Sequence, residues 1–314
     1  MIEFNDISKV YNKPFKLALE NLNLALKNGE ILGFAGLNGA GKTTAMRIAS
    51  GVMIPTSGSV VIDGIDMMKN RNAAVRNVGW IPEEDNFDAH YKALDLMRYY
   101  CGLYGMTSKE ARNRSNELLE LVDLGSSINT RLRKFSHGMK KRFMVATALI
   151  ANPNNMLLDE PFNGLDPQGI RFLNSLIIRL KDEGKSFFIS SHILTELGNI
   201  ADRVAIIHRG KVSKILDRNE MKGGGRAVIR IRIDRITEKT HNILGKYGNV
   251  SILENTITVF DPKVGPSEVN SVSEELTKAG FKVYECIPSE EQLEDLFFKA
   301  IRDSSSSSAD GSIQ

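Results

Sequence analysis

Gly36-Leu37-Asn38-Gly39-Ala40-Gly41-Lys42-Thr43-Thr44 is the stretch whose context decides how the other residues of this 314-residue chain are read. It fits the spacing GxxxxGK[ST]. The apolar run Ile31-Leu32-Gly33-Phe34-Ala35 ahead of it reads as a strand, and a helical pattern opens at Lys42. A glycine-rich turn between strand and helix lets successive backbone N–H groups curl around phosphates at a helix N-terminus. Lys42 then neutralises phosphate charge, and the Thr43 hydroxyl is offered to Mg²⁺. The expected ligands are therefore the β- and γ-phosphates of a nucleotide, with Mg²⁺. Gly36, Asn38, Gly39, Ala40, Gly41, Lys42, Thr43 and Thr44 are the candidate phosphate-contacting residues.

Further apolar runs follow, at Val78-Gly79-Trp80-Ile81, Met156-Leu157-Leu158, Ser186-Phe187-Phe188-Ile189 and Val204-Ala205-Ile206-Ile207, with helical patterns between them. Runs apolar on both faces and separated by helices predict a buried parallel sheet with helical crossovers, an α/β fold. The run at Met156 ends in Asp159-Glu160. Beside a phosphate loop, such a strand end supplies a carboxylate for Mg²⁺ (Asp159) and one that polarises an attacking water (Glu160). On their own, two carboxylates at a strand end are as compatible with solvated surface.

Composition narrows the class. With 41 Lys+Arg against 38 Asp+Glu, basic and acidic residues nearly cancel, so no global field draws the chain to nucleic acid, and none is expected as a partner. Cys101 and Cys286 lie far apart without CxxC spacing, which argues against zinc or a redox pair and predicts two buried thiols. No run reaches the roughly 18 apolar residues of a membrane span, and the N-terminus lacks a leader pattern. These features predict a cytoplasmic chain, reaching a membrane only through other subunits. His90, His208 and His241 show no metal-ligand spacing.

Lys222-Gly223-Gly224-Gly225 reads as a linker, because three successive glycines leave the backbone without a preferred conformation. It divides a domain over 1–221 from one over 226–303. Within the latter, the strand 227–233, a helix near 237–247, strands near 250–253 and 256–260, a helix over 267–279 and a strand over 281–286 follow the βαββαβ order of a ferredoxin-like unit. A last helix after Pro288 carries Leu293, Leu296, Phe297, Ala300 and Ile301 on one face. Arg230 and Arg232 alternate with isoleucines and read as the solvent face of their strand. The serine-rich stretch 304–314 is expected to be a disordered tail.

Phe135-Ser136-His137-Gly138-Met139-Lys140-Lys141-Arg142, just ahead of the Asp159-Glu160 strand, resembles the signature segment (LSGGQ) of ABC-type ATPases. Asn163-Gly164-Leu165-Asp166-Pro167 resembles the D-loop of that family and Ser190-Ser191-His192 its switch histidine, while Tyr11 stands where the family places an adenine-stacking aromatic. The resemblance covers residues from about 1 to 217. It implies a P-loop NTPase fold in which antiparallel β and α-helical subdomains flank the parallel sheet. It also implies a site shared by two chains: Ser136 and the N–H of Gly138 face the γ-phosphate held by a partner's Lys42, Glu160 is the general base, His192 holds the water in line, and Asp166 couples the sites.

Two positions depart from the pattern. Glu83 stands where most members have a Gln near Mg²⁺, and is expected to approach the metal. His137 replaces the first signature glycine, a costly change if the position needs a positive φ. The implied function is the ATP-hydrolysing subunit of a membrane transporter. Glu83 and the C-terminal unit resemble the ABC-2 export class, and residues 85–104 lie where the family docks a permease. The implied partners are a second ABC ATPase, identical or not, and transmembrane subunits. Alternatives are a soluble ABC-type ATPase acting on ribosome or DNA, which the absence of a second phosphate loop and of sustained heptads disfavours, and a weakly hydrolysing partner in a heterodimer.

Overall fold

The computed structural model describes all residues except 13, 86, 222–226, 254, 255, 261, 263–268 and 307–314. The chain divides into two units, Met1–Leu216 and Asp217–Gln314. In the first, β1 (Ile2–Asn12), β2 (Phe15–Leu26), β3 (Ile31–Ala35), α1 (Lys42–Ala49), β4 (Ser57–Ile62), β5 (Ile65–Asp66), α2 (Arg71–Val75) and β6 (Val78–Ile81) come first. Three helices, α3 (Ala93–Leu103), α4 (Ser108–Leu121) and α5 (His137–Ala148), separate β6 from β7 (Asn155–Asp159). Then follow α6 (Pro167–Asp182), β8 (Ser186–Ser191), α7 (Leu194–Ile200), β9 (Arg203–His208) and β10 (Lys211–Asp217).

The central sheet has the order β10-β9-β3-β8-β7-β6, and its strands run parallel from β6 through β9. Every residue of β3, β7 and β8 is buried, which is why their sequences carry no polar alternation. A second sheet, β2-β1-β4-β5, is antiparallel. The two sheets share one core in which Phe188 packs between Phe4 and Phe34, at ring-centroid distances of 5.6 and 5.1 Å. Each such buried ring contributes about 1.5–3 kcal/mol relative to exposure. Helix α3 begins at Ala93, and Tyr91 is left exposed.

The second unit contains α8 (Arg218–Met221), β11 (Ala227–Ile233), α9 (Glu238–Leu244), β12 (Asn249–Leu253), β13 (Thr256–Phe260), α10 (Val269–Lys278), β14 (Val283–Glu290) and α11 (Leu293–Ser306). Its antiparallel sheet has the order β12-β13-β11-β14, the ferredoxin-like arrangement. Ile229, Ile231 and Ile233 point from β11 into a core with Leu244, Val272 and Leu276.

Here the structure departs from the sequence reading in several places. Arg230 is not on a solvent face: its guanidinium lies 2.7 Å from Asp295 of α11, which covers that side of the sheet. Arg232 does remain exposed. Strand β14 continues through Pro288 to Glu290, because the missing N–H of a proline costs little on an edge strand. Helix α11 runs to Ser306 and takes in the first three residues of the expected tail, with Ser304 Oγ donating to Ile301 O at 2.7 Å. The expected linker 222–225 and residues 307–314 lie outside the described residues. Cys101 is buried, whereas Cys286 is half-buried with its thiol donating to Val269 O. Among the described residues, no helix is long and apolar enough to cross a membrane.

Candidate nucleotide site

Neighbouring strands β3, β8 and β7 end on the same side of the parallel sheet, with Ala35 paired to Ser191 and Ser190 to Asp159. The register therefore brings the 36–44 loop, Ser190–His192 and Asp159–Glu160 to one place at the carboxyl edge of the sheet, where ligands bind in open α/β folds. A cavity of about 240 Å³ opens there. Tyr11, Asn38, Gly39, Gly41, Lys42, Thr43, Thr44, Glu83 and Glu160 line it, while Ala40 lies beneath at 6% exposure. Gly36 is reached from inside: the Lys42 ammonium donates to its carbonyl at 2.7 Å. Gly41 precedes α1 with φ 115°, and a Cβ there would lie 2.6 Å from the Ala18 carbonyl oxygen of β2. The loop curls against that strand only with glycine at the position.

Lys42, Asp159 and Glu160 are almost wholly buried. Lys42 Nζ is also 3.0 Å from Glu160 Oε1, and Glu160 Oε2 is 2.9 Å from His192 Nδ1 while accepting from the His192 N–H at 3.2 Å. Glu160 itself has φ 46°, a left-handed conformation that costs on the order of 1–3 kcal/mol in a non-glycine residue. The turn is held by its N–H, which donates to Ser190 Oγ at 2.9 Å, and Ser190 Oγ in turn donates to Asp159 Oδ1 at 2.6 Å. One serine hydroxyl thus positions both carboxylates.

Asp159 is 1% exposed, and burial pushes its carboxyl above the usual carboxylate range. The hydrogen bonds from Ser190 and Thr43 pull it down, and the charges of Glu160 and Glu83 push it up again. Thr43 Oγ1 approaches Asp159 Oδ1 at 3.4 Å. This pair of hard oxygen donors, with a carboxylate whose charge is poorly solvated, fits Mg²⁺. Among the described residues no group of three or more His, Cys, Asp or Glu is placed to hold a metal. Glu83 faces the same cavity, with Oε1 accepting from Asn163 Nδ2 at 3.2 Å.

Tyr11 borders the cavity, its hydroxyl 3.3 Å from Thr44 Oγ1. The other three expected residues are elsewhere in the chain. Ser136 Oγ accepts from Met139 N at 3.2 Å and caps α5, Gly138 lies in the first turn of α5, and Asp166 Oδ1 accepts from Gly169 N at 2.7 Å and caps α6. None of the three lines the cavity. His137 carries no strain: it has no positive φ, because it is the first residue of α5.

Sequence reasoning gave no role to several residues that the structure brings in. Lys16 lines the cavity, its ammonium 3.8 Å from where a Cβ on Gly39 would stand. Only the pairing of Lys16 with Tyr11 across the β1–β2 hairpin puts it there, and no local pattern marks it. Lys141 is 2% exposed, and desolvation lowers its affinity for a proton against the charges of Asp85, Glu83, Asp159 and Glu160. Its ammonium donates to Glu83 O at 2.9 Å. Away from the cavity, Trp80, Phe87, Tyr100, Leu103, Tyr104 and Met144 line an apolar groove of about 440 Å³, with Leu103 and Tyr104 67% and 58% exposed.

Known proteins resemble this chain. The profile of the ABC transporter family matches residues 19–163. The bacitracin transport ATP-binding protein BcrA of Bacillus licheniformis is 33% identical over 312 residues, covering 96% of this chain and 97% of that protein. The lantibiotic transport ATP-binding protein SrtF of Streptococcus pyogenes is 35% identical over 212 residues, which is 68% of this chain and 89% of that protein. Among solved structures, a dimeric ATP-binding cassette in a post-hydrolysis state with ADP and Pi superposes with a TM-score of 0.64 at 25% identity, covering 69% of this chain and 99% of that one.

Proposed function

The chain belongs to the ABC transporter family as an ATP-binding protein, and from that premise we propose that it hydrolyses ATP through Lys42, Glu160 and His192 to power export by separate transmembrane subunits. The observation that carries this reading is the convergence of three strand ends on one cavity, with Glu160 between Lys42 and His192. The 36–44 loop would hold the β- and γ-phosphates on its backbone N–H groups and on Lys42, and Tyr11 would stack on the adenine. Thr43, Asp159 and Glu83 would hold Mg²⁺, which neutralises charge developing on the phosphate oxygens. Glu160 takes a proton from the attacking water, and its fixed left-handed turn aims the carboxylate without reorganisation. His192, on the far side of Glu160 from Lys42, orients that water and meets the γ-phosphate.

Ser136, Gly138 and Asp166 would act in trans, closing over nucleotide bound to a second ABC ATPase chain, a copy of this one or a relative. Their position away from the cavity supports that division of labour. The apolar groove at Trp80 and Tyr104 would receive a segment of the transmembrane subunits and keep the chain at the inner membrane face. The names of the bacitracin and lantibiotic transport relatives support an antibiotic of the bacitracin or lantibiotic kind as the exported class.

Phosphate release from Mg-ATP by the full chain tests the chemistry. Glu160→Gln is expected to lower turnover by about 100-fold or more while leaving nucleotide affinity close to that of the unmodified chain. Turnover that survives the substitution would remove Glu160 from its role.

A further inference from the structure

His137 occupies a glycine position of the resembled signature, and its side chain reaches across to the loop after Glu160. Its Nε2 lies 3.0 Å from Asn163 O. A carbonyl oxygen only accepts, so Nε2 carries the proton in this contact. The ring also rests on Gly164. That residue has φ 70°, and a Cβ added to it would come within 3.0 Å of His137 Cδ2 and Nε2. The left-handed backbone therefore favours glycine there, and any side chain would press on the ring.

The same asparagine uses its side chain in another direction, with Nδ2 donating to Glu83 Oε1 at 3.2 Å. Glu83 lines the nucleotide cavity. Helix α5 returns to this segment from its second turn, where Lys141 Nζ donates to Glu83 O at 2.9 Å and Lys140 pairs with Asp85 at 3.1 Å. A closed circuit results. Glu83 lines the cavity, Asn163 joins it to the D-loop, His137 joins the D-loop to the start of α5, and Lys141 closes back on Glu83. A desolvated ammonium such as Lys141 makes the last contact hard to exchange for water.

We propose that His137 is a positioning residue that transmits occupancy of the chain's own nucleotide cavity, through Asn163 and Glu83, to the signature segment presented to a second ATPase chain. This rests on the reading of the cavity as a nucleotide site. Glycine at position 137 could not make the contact, so the histidine adds a link rather than marking decay. Movement of Glu83 toward bound Mg-nucleotide would shift Asn163, and the shift would reach the N-terminal turn of α5 by way of the His137 ring. The two half-sites of one chain then change together, which is coupling in the thermodynamic sense.

Amide hydrogen exchange on the full chain tests this. The protein is diluted until light scattering reports a single chain, so that protection of the signature segment cannot come from a partner. With Mg²⁺ and a non-hydrolysable ATP analogue, exchange is expected to slow by about fivefold or more in residues 36–44, 163–166 and 137–142. His137→Ala should keep the slowing at 36–44 and 163–166 and lose it at 137–142, whereas His137→Gln, whose amide can donate to Asn163 O, should retain it. Undiminished slowing at 137–142 in His137→Ala would overturn the proposal, as would a His137→Gln protein that behaves like the alanine variant. Absence of slowing at 36–44 in the unmodified chain would instead overturn the nucleotide reading beneath it.

Discussion

In residues 1–216 three buried charges, those of Lys42, Asp159 and Glu160, gather at one point, whereas in residues 217–314 Arg230 and Glu275 each meet a partner of opposite charge. Lys42, Asp159 and Glu160 are each nearly inaccessible, and the two carboxylates are adjacent in sequence. Like charges brought together out of water oppose stability, and the left-handed turn at Glu160 adds to the cost. In the second unit Arg230 meets Asp295, and Glu275 accepts from both Lys246 and Tyr247. The contrast teaches where chemistry resides: one unit crowds buried like charges beside a cavity, the other pairs charges of opposite sign.

The largest expected break in this contrast comes from Gly41→Ala. A methyl group facing the Ala18 carbonyl at 2.6 Å, on a residue with φ 115°, should open the loop and lower nucleotide affinity by about 100-fold, equal to roughly 2.7 kcal/mol. Fluorescent-nucleotide titration measures it, and an affinity within a few-fold of the unmodified chain would show that the loop tolerates reshaping. Next is Ile231→Ala in the core of the second unit, where Ile231 is 0% exposed. The cavity left behind should destabilise that unit by about 2–5 kcal/mol in a urea titration. Nucleotide affinity should stay unchanged, as it should in a chain ending after Met221, and its loss in either protein would end the separation of roles.

The smallest effect concerns pH. Hydrogen bonds, first from Lys246 and then from Tyr247, hold the Glu275 carboxyl below the usual range, and the same contact pushes the Tyr247 hydroxyl up to about 12. A depressed carboxylate contributes stability above its unfolded value of 4.5 that is lost as pH falls through the lower folded value. Partial exposure and salt screening limit this to about 0.5–1 kcal/mol. Glu275→Gln should therefore lower the urea midpoint of the second unit slightly at pH 7, with the difference shrinking below pH 4.5. A difference that grows toward acid would contradict the sign.

The same contrast governs what could be read from the residues. The phosphate loop, the Asp159-Glu160 strand and the ferredoxin-like order were legible because each is a local pattern: a spacing, an apolar run with a polar end, an alternation. The β1–β2 hairpin was not legible from periodicity, since bulges between Phe4 and Val10 break its alternation, and it entered only through the resemblance. Lys16, Lys141 and the Arg230–Asp295 pair escaped for another reason. Lys141 and Arg230 have partners tens of residues away, Lys16 reaches the cavity only through the β1–β2 pairing, and the side chains alone look like ordinary surface charges. His137 is the instructive case. The concern about a strained backbone was a question about φ, and the answer lay in the capping of α5 by Ser136, which makes His137 helical.

The central claim is that the nucleotide site of one chain is completed by Ser136 and Gly138 of another. Light scattering of the full chain carrying Glu160→Gln, with and without Mg-ATP, tests it most directly, because blocked hydrolysis should hold the closed assembly. The account predicts one chain without nucleotide and two with it. A mass that remains that of one chain while nucleotide is bound would contradict a site completed by a second copy.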